Sequence, residues 1–284
     1  MSVRPRATRV ESRMMNDRTR SLRSLEGVGT TATARHRARL VVSSVTTEQP
    51  TLVLVRQGRK QIKRGALNIR VEAGDAVVVP PGQAFDLITT PEGGEFVSTM
   101  LIPAQPIIDE VAAMFVDVPT LRRASALKAI EPELLASFER AVHAVSEPAH
   151  VPRKVTENRM REILIWLAHR GLKLGRERDP NLTRRIRALL AQDPSRDWKA
   201  GEMARAVAMS EATLRRHLRE EGVSFQEILI DVRMSRALAL LQVTDLPIGQ
   251  VALEVGYDSA SRFAVRFRRR FAMSPSVVRG GLEA

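Results

Sequence analysis

Apolar positions along the chain change their period twice. Between residues 40 and 102 they come in short, β-branched runs: Leu40–Val42, Thr51–Val55, Leu67–Val71, Ala76–Val79, Phe85–Ile88 and Phe96–Ile102. Turn residues separate them, at Gln57-Gly58, Gly65, Gly74-Asp75, Pro80-Pro81-Gly82 and Pro91-Glu92-Gly93-Gly94. Short strands so closely spaced predict an antiparallel barrel or sandwich, of small jelly-roll size. From about Ile107 the period becomes helical. Pro132 opens a helix to Val145 with Leu134, Phe138 and Ala141 on one stripe, and a second helix runs from Val155 to Lys173 with Met160, Ile163, Leu164 and Leu167. These stripes fit packing on the barrel and a dimer seam equally well. Leu174–Arg178 reads as a linker, after which Asp179 is placed to cap a helix with Pro180 at its first position. The expected class is α+β: a small N-terminal β-barrel, linker helices and an all-α C-terminal domain.

Charge sharpens this outline. The 284 residues carry 45 Lys+Arg against 32 Asp+Glu, a net of +13, so the expected partner is a polyanion, nucleic acid first. Two stretches hold much of the excess. Residues 1–40 contain ten arginines against Glu11, Asp17 and Glu26, with little apolar periodicity, and residues 1–36 are expected to be a disordered basic tail. Met14 and Met15 offer alternative starts. Arg262 to Arg279 contains six arginines and no acid, but is punctuated by Phe263, Phe267 and Phe271. Charge held on an ordered helix keeps a fixed register with phosphates. No apolar run reaches membrane-span length, and no secretory leader is evident at the N-terminus, so the cytoplasm is the expected location and no membrane partner is expected.

Two segments have the same helix-turn-helix plan. In the first, a helix from Lys199 to Val207 is followed by the turn Ala208-Met209-Ser210, and Ser210 caps a helix that buries Leu214 and Leu218. Ala212, Thr213, Arg215, Arg216 and Arg219 lie on its outer side. In the second, Pro247–Glu254 leads through Gly256-Tyr257-Asp258 to a helix capped by Ser259 and containing Phe263, Phe267 and Phe271. One long helix, Ser224 to Gln242, joins them. Each unit alone fits an ordinary helical hairpin with a solvated basic face as well as a DNA reader. Two on one rigid helix would address successive major-groove segments about 34 Å apart.

The combined pattern resembles the DNA-binding domain of the AraC/XylS family of bacterial transcription regulators. The matching pieces are Met209-Ser210, Leu214, Arg216, Gly222-Val223-Ser224, Arg233, Ala237, Leu240-Leu241, Ile248, Val251-Ala252, Val255-Gly256-Tyr257, Phe263, Phe267-Arg268, Phe271, Ser274-Pro275 and Arg279. Residues 40–102 resemble, in outline, the cupin-like barrel often found N-terminal in that family. The resemblance implies a sequence-specific regulator, tilted toward activation, with double-stranded DNA and RNA polymerase as partners, a small-molecule effector in the barrel, and a homodimer. It divides the chain into a tail (1–36), a barrel (37–106), a helical linker and dimerisation region (107–174) and a DNA-binding domain (179–280), the last expected to fold and bind DNA alone. It places Ala212, Arg215 and Arg216 of the first unit, and Ala260, Ser261, Ala264 and Val265 of the second, at base-facing positions. Thr213, Arg219, Arg262, Arg266 and Arg268 are expected on phosphates. Two positions depart from the family: Val265 stands where arginine is common, and Ala272 where glycine is usual.

Other chemistries find little support. The chain has no cysteine, and His36, His143, His150, His169 and His217 all fall outside the 40–102 strands, so neither a histidine-ligated metal nor any other cofactor is expected. No phosphate-binding glycine loop or nucleophile motif occurs. A cupin-fold enzyme with a helical appendage and a non-specific nucleoid-associated binder stand as the competing readings. For the effector, Arg56, Lys60, Lys63 and Arg64 beside an apolar barrel interior fit an amphipathic anion, and fit solvated turn residues equally well.

Overall fold

The computed structural model describes residues 21–175 and 181–280. Its N-terminal half is built from two antiparallel sheets. The strands are β1 (Ser21–Leu25), β2 (Gly29–His36), β3 (Leu40–Thr46), β4 (Thr51–Gln57), β5 (Arg59–Arg64), β6 (Leu67–Val71), β7 (Ala76–Val79), β8 (Ala84–Thr90), β9 (Phe96–Pro103) and β10 (Ser125–Leu127). One sheet has the order β1-β2-β9-β4-β7-β10, the other β3-β8-β5-β6. Val53, Val55, Ile62, Val71, Phe85, Leu87 and Phe96 form the core between them. The other face of the larger sheet presents Leu52, Leu54, Val78 and Leu101 to helices. β4 is therefore covered on both faces, which is why its sequence is an unbroken apolar run rather than an alternation.

The helices on that face are α1 (Gln105–Met114), α2 (Pro132–Ser146) and α3 (Arg153–His169). Leu134, Phe138, Ala141 and Val145 of α2 and Met160, Ile163, Leu164 and Leu167 of α3 belong to one core with the sheet. The stripe that fitted a dimer seam is thus buried within a single chain.

Three expectations change. Residues 21–36 are not tail: they form β1 and β2, with Ala32 and Ala34 buried; residues 1–20 of the expected tail lie outside the described residues. β5, Arg-Lys-Gln-Ile-Lys-Arg, is a strand despite four cations, because only Lys60 and Ile62 point inward. The expected cap at Asp179 also falls outside the described residues, and the cap of α4 (Leu182–Gln192) is Asn181, whose side chain accepts from the Arg184 N–H at 3.0 Å.

The remaining helices are α5 (Ala200–Ala206), α6 (Glu211–Glu220), α7 (Phe225–Val243), α8 (Ile248–Glu254), α9 (Ala260–Phe271) and α10 (Pro275–Gly280). They do not form an isolated body. Val42 of β3 is completely buried in the core that includes Met234, Leu238, Phe267 and Phe271, and Val243 packs with Ala32 and Ala34 of β2. An ionic chain borders this contact. Glu48 of the β3–β4 loop binds Arg187 of α4 at 2.5 Å, Arg187 binds Asp231 of α7 at 2.6 Å, and Asp231 binds Arg270 of α9 at 2.5 Å. Arg270 also donates to the carbonyl oxygens of Ser43 and Ser44.

Candidate nucleic-acid interface

The first unit is built as its caps dictate. Ser210 ends the turn, and its hydroxyl accepts from the Thr213 N–H at 3.1 Å, fixing the first turn of α6. Leu214 and Leu218 are buried against Met203, Ala204 and Val207. With that stripe inward, Ala212, Arg215, Arg216 and Arg219 are exposed and Thr213 is half-buried. Arg215 is paired with Glu211, and Arg216 lies 4.0 Å from Glu220. Both pairs are solvent-exposed i,i+4 contacts, worth about 0.5 kcal/mol, so they yield readily to a base or phosphate.

The second unit repeats this plan with a more basic helix. Ser259 accepts from the Arg262 N–H at 3.3 Å to cap α9. Phe263, Phe267 and Phe271 are buried in series, with ring centroids 5.6 Å and 4.8 Å apart. Their spacing leaves Ala260, Ser261, Arg262, Val265, Arg266, Arg268 and Arg269 exposed and Ala264 half-buried. Val265 is 67% exposed at the centre of this face, an apolar side chain of a size to meet a thymine methyl. Among the described residues, no carboxylate lies within ion-pair distance of Arg262, Arg266, Arg268 or Arg269. Arg269 is absent from the sequence-based set. It lies four residues from Val265 and so on the same face, a signal that the periodicity of α9 contained.

α7 carries both units. Ser224 and Glu227 close a reciprocal cap at its start: the Ser224 hydroxyl accepts from the Glu227 N–H, and the Ser224 N–H donates to the Glu227 carboxylate. Its 19 residues span roughly 28 Å, a length comparable to one turn of DNA. The core of the first unit takes Phe225, Ile228, Leu229 and Val232 from α7, and that of the second takes Met234, Ala237, Leu238 and Leu241.

This arrangement has recorded counterparts. Residues 203–281 match the family model described as "Helix-turn-helix domain". The urease operon transcriptional activator of Escherichia coli is 38% identical over 94 residues, covering 33% of this chain and 32% of that protein. Residues 203–281 are an AraC-type helix-turn-helix domain. The HTH-type transcriptional regulator GadX of Escherichia coli O6:H1 is 34% identical over 97 residues, covering 34% of this chain and 35% of its own. The chain thus spans about a third of the length of these curated relatives. The fold of the whole is similar to that of ToxT from Vibrio cholerae, solved with an unsaturated fatty acid bound: the TM-score is 0.65 at 14% identity, covering 92% of this chain and 98% of that one.

The cations expected to receive an effector do not converge. Arg56 is paired with Glu139 of α2 and bonds the Thr99 hydroxyl, and Lys63 and Arg64 are exposed at the β5–β6 turn. Of the four, only Lys60 points between the two sheets, its ammonium 5.7 Å from the centroid of Phe96, and burial pushes it down to about 8. The sheets also bury a histidine, at the end of β2. His36 stacks on Phe96 at 4.7 Å and bonds Thr89 through Nε2 and the Ala38 carbonyl through Nδ1. Among the described residues, no group of three or more His, Cys, Asp or Glu is placed to hold a metal.

Proposed function

We propose that the chain is a sequence-specific, DNA-binding transcription regulator that acts in the cytoplasm, as an activator and not as an enzyme. The observation that carries this is the pair of N-capped helices, α6 and α9, presenting exposed arginines from one rigid helix within an AraC-type domain. In this reading Arg215 and Arg216 contact base edges through their two-pronged donors, with Ala212 allowing close approach. Ala260, Ser261, Ala264 and Val265 read shape and methyl groups. Thr213, Arg219, Arg262, Arg266 and Arg268, joined by Arg269, hold phosphates. The domain division is sheets and helices from residue 21 to residue 174, and a DNA-binding domain over residues 181–280.

RNA polymerase is the partner this reading requires for activation. A homodimer would use a surface other than the apolar stripes of α2 and α3, which are covered within the chain. Effector sensing belongs to the same reading: the fatty acid is a ligand of ToxT, and for this chain an amphipathic anion is the ligand class to screen. Among the described residues no helix is long and apolar enough to cross a membrane.

The test is selection of duplexes by the full-length protein from a random-sequence library at fixed salt. A regulator enriches one motif and binds it at least about 10³-fold more tightly than random duplex. Equal binding to both would replace this reading with non-specific nucleoid association.

A further inference from the structure

Arg233 occupies a singular place on α7. Val232 is the last buried α7 residue of the first unit's core and Met234 the first buried one of the second's, with half-buried Ile230 already packed against the second. α7 runs through both cores, and polar contacts beside it tie a loop of one unit to a turn of the other. Arg233 lies at the seam. Its Nε donates to the Pro194 carbonyl at 2.9 Å and one terminal nitrogen to the Arg196 carbonyl at 3.0 Å, both in the segment leading into α5. The other terminal nitrogen donates to the Gly256 carbonyl at 3.1 Å, in the turn between α8 and α9. The guanidinium also lies 5.7 Å from the Tyr257 ring centroid.

Gly256 explains why the seam can be this close. It sits at φ +78, and a Cβ there would come within 2.7 Å of the Arg233 guanidinium and 2.8 Å of the Ser195 carbonyl oxygen. Only glycine lets the second unit's turn meet the first unit's entry loop. Two residues earlier, on the opposite side of α7, Asp231 ties Arg187 of α4 to Arg270 of α9.

We infer that Arg233 is the positioning residue that fixes the distance and angle between the two recognition helices, and so sets which spacing of DNA segments the protein accepts. This rests on the proposed DNA-binding function. The role needs arginine: three donors in a rigid plane reach three carbonyls of two units, whereas a lysine ammonium on a flexible stem does not hold that geometry.

The experiment uses full-length protein and duplexes enriched from a random library. Each is also made with one base pair inserted between the two protected segments, which shifts them by about 3.4 Å and roughly 34°, and in a form keeping the first segment only. Wild-type protein is expected to lose at least about tenfold in affinity on insertion. Arg233→Lys and Arg233→Met are expected to lose less than about threefold, while binding the single-segment duplex as wild type does. A loss of stability alone would weaken all three duplexes together, so the ratio isolates positioning. Folded variants that keep the wild-type insertion penalty overturn the inference. So does an Arg233→Lys protein that fails to fold, since it would make Arg233 a residue of stability. Failure of wild-type protein to enrich any motif would instead overturn the function on which the inference rests.

Discussion

At the scale of single residues, Lys60 is a buried ammonium held over Phe96 and depressed to about 8 by loss of solvent. In the unfolded chain the same amine binds its proton up to the ordinary lysine range. Between about pH 8 and that range the unfolded state therefore holds more protons, and stability rises with pH; below about 8 the cost of burying the charge is fully present. Lys60→Met is expected to raise the unfolding free energy by about 1–3 kcal/mol at pH 7 and to abolish the rise above pH 8. Urea titrations of both proteins from pH 7 to 10 check this, and parallel pH profiles would contradict it. Ala272 has the opposite fault, one of backbone rather than charge. It ends α9 in the left-handed region at φ +57, its N–H donating to the Arg268 carbonyl at 2.8 Å. A Cβ costs about 1–2 kcal/mol there, partly offset by the greater freedom of glycine when unfolded. Ala272→Gly is thus expected to stabilise by about 0.5–1 kcal/mol, seen as a higher urea midpoint at unchanged slope.

Elements differ in how plainly the sequence announced them. α6, α7 and α9 were legible because Ser210, Ser224 and Ser259 cap them and their apolar stripes are regular. β5 was not, because its arginines and lysines outnumber the one apolar inward residue, Ile62, and β2 was not, because its buried positions are Gly29, Thr31, Ala32, Ala34 and His36, none of them large and apolar. Arg233 was visible only as a member of a pattern, since its three acceptors are backbone carbonyls from segments 37–39 and 23 residues away. The two recognition helices also predict different mutational behaviour. Loss of Arg215 or Arg216 is expected to cost about 1–3 kcal/mol on the selected motif and relax preference at one base position. Loss of Arg262, Arg266, Arg268 or Arg269 is expected to weaken motif and random duplex alike and to reduce the salt slope by about one. Filter-binding isotherms over a salt series distinguish the two, and a change of base preference in the second set would make that arginine a reader.

For the whole molecule, the decisive fact is that the N-terminal sheets and the helix-turn-helix domain share buried surface. A linker at residues 174–178 implies two independent bodies, yet Val42 lies in the same core as Phe267, and Glu48 anchors the chain of charges through Arg187 and Asp231 to Arg270. Neither contact has a local sequence signature, because its partners are more than a hundred residues apart. The fragment from Asp179 onward is therefore expected to expose the α7–α9 face, and to unfold at lower urea than the same residues do in the full chain. The two tryptophans, Trp166 on α3 and Trp198 before α5, report the halves separately. In Trp166→Phe and Trp198→Phe backgrounds the full chain is expected to give coincident urea transitions, the mark of one cooperative unit. Adding Glu48→Ala removes the β3–β4 loop's carboxylate from Arg187, which keeps Asp231, so the loss should fall on the junction rather than on the helix-turn-helix domain itself. The Trp198 transition is then expected to move to lower urea and separate from that of Trp166. Transitions that remain coincident and unshifted in the Glu48→Ala protein would show that the ionic chain does not couple the halves, leaving Val42 and its neighbours to do so.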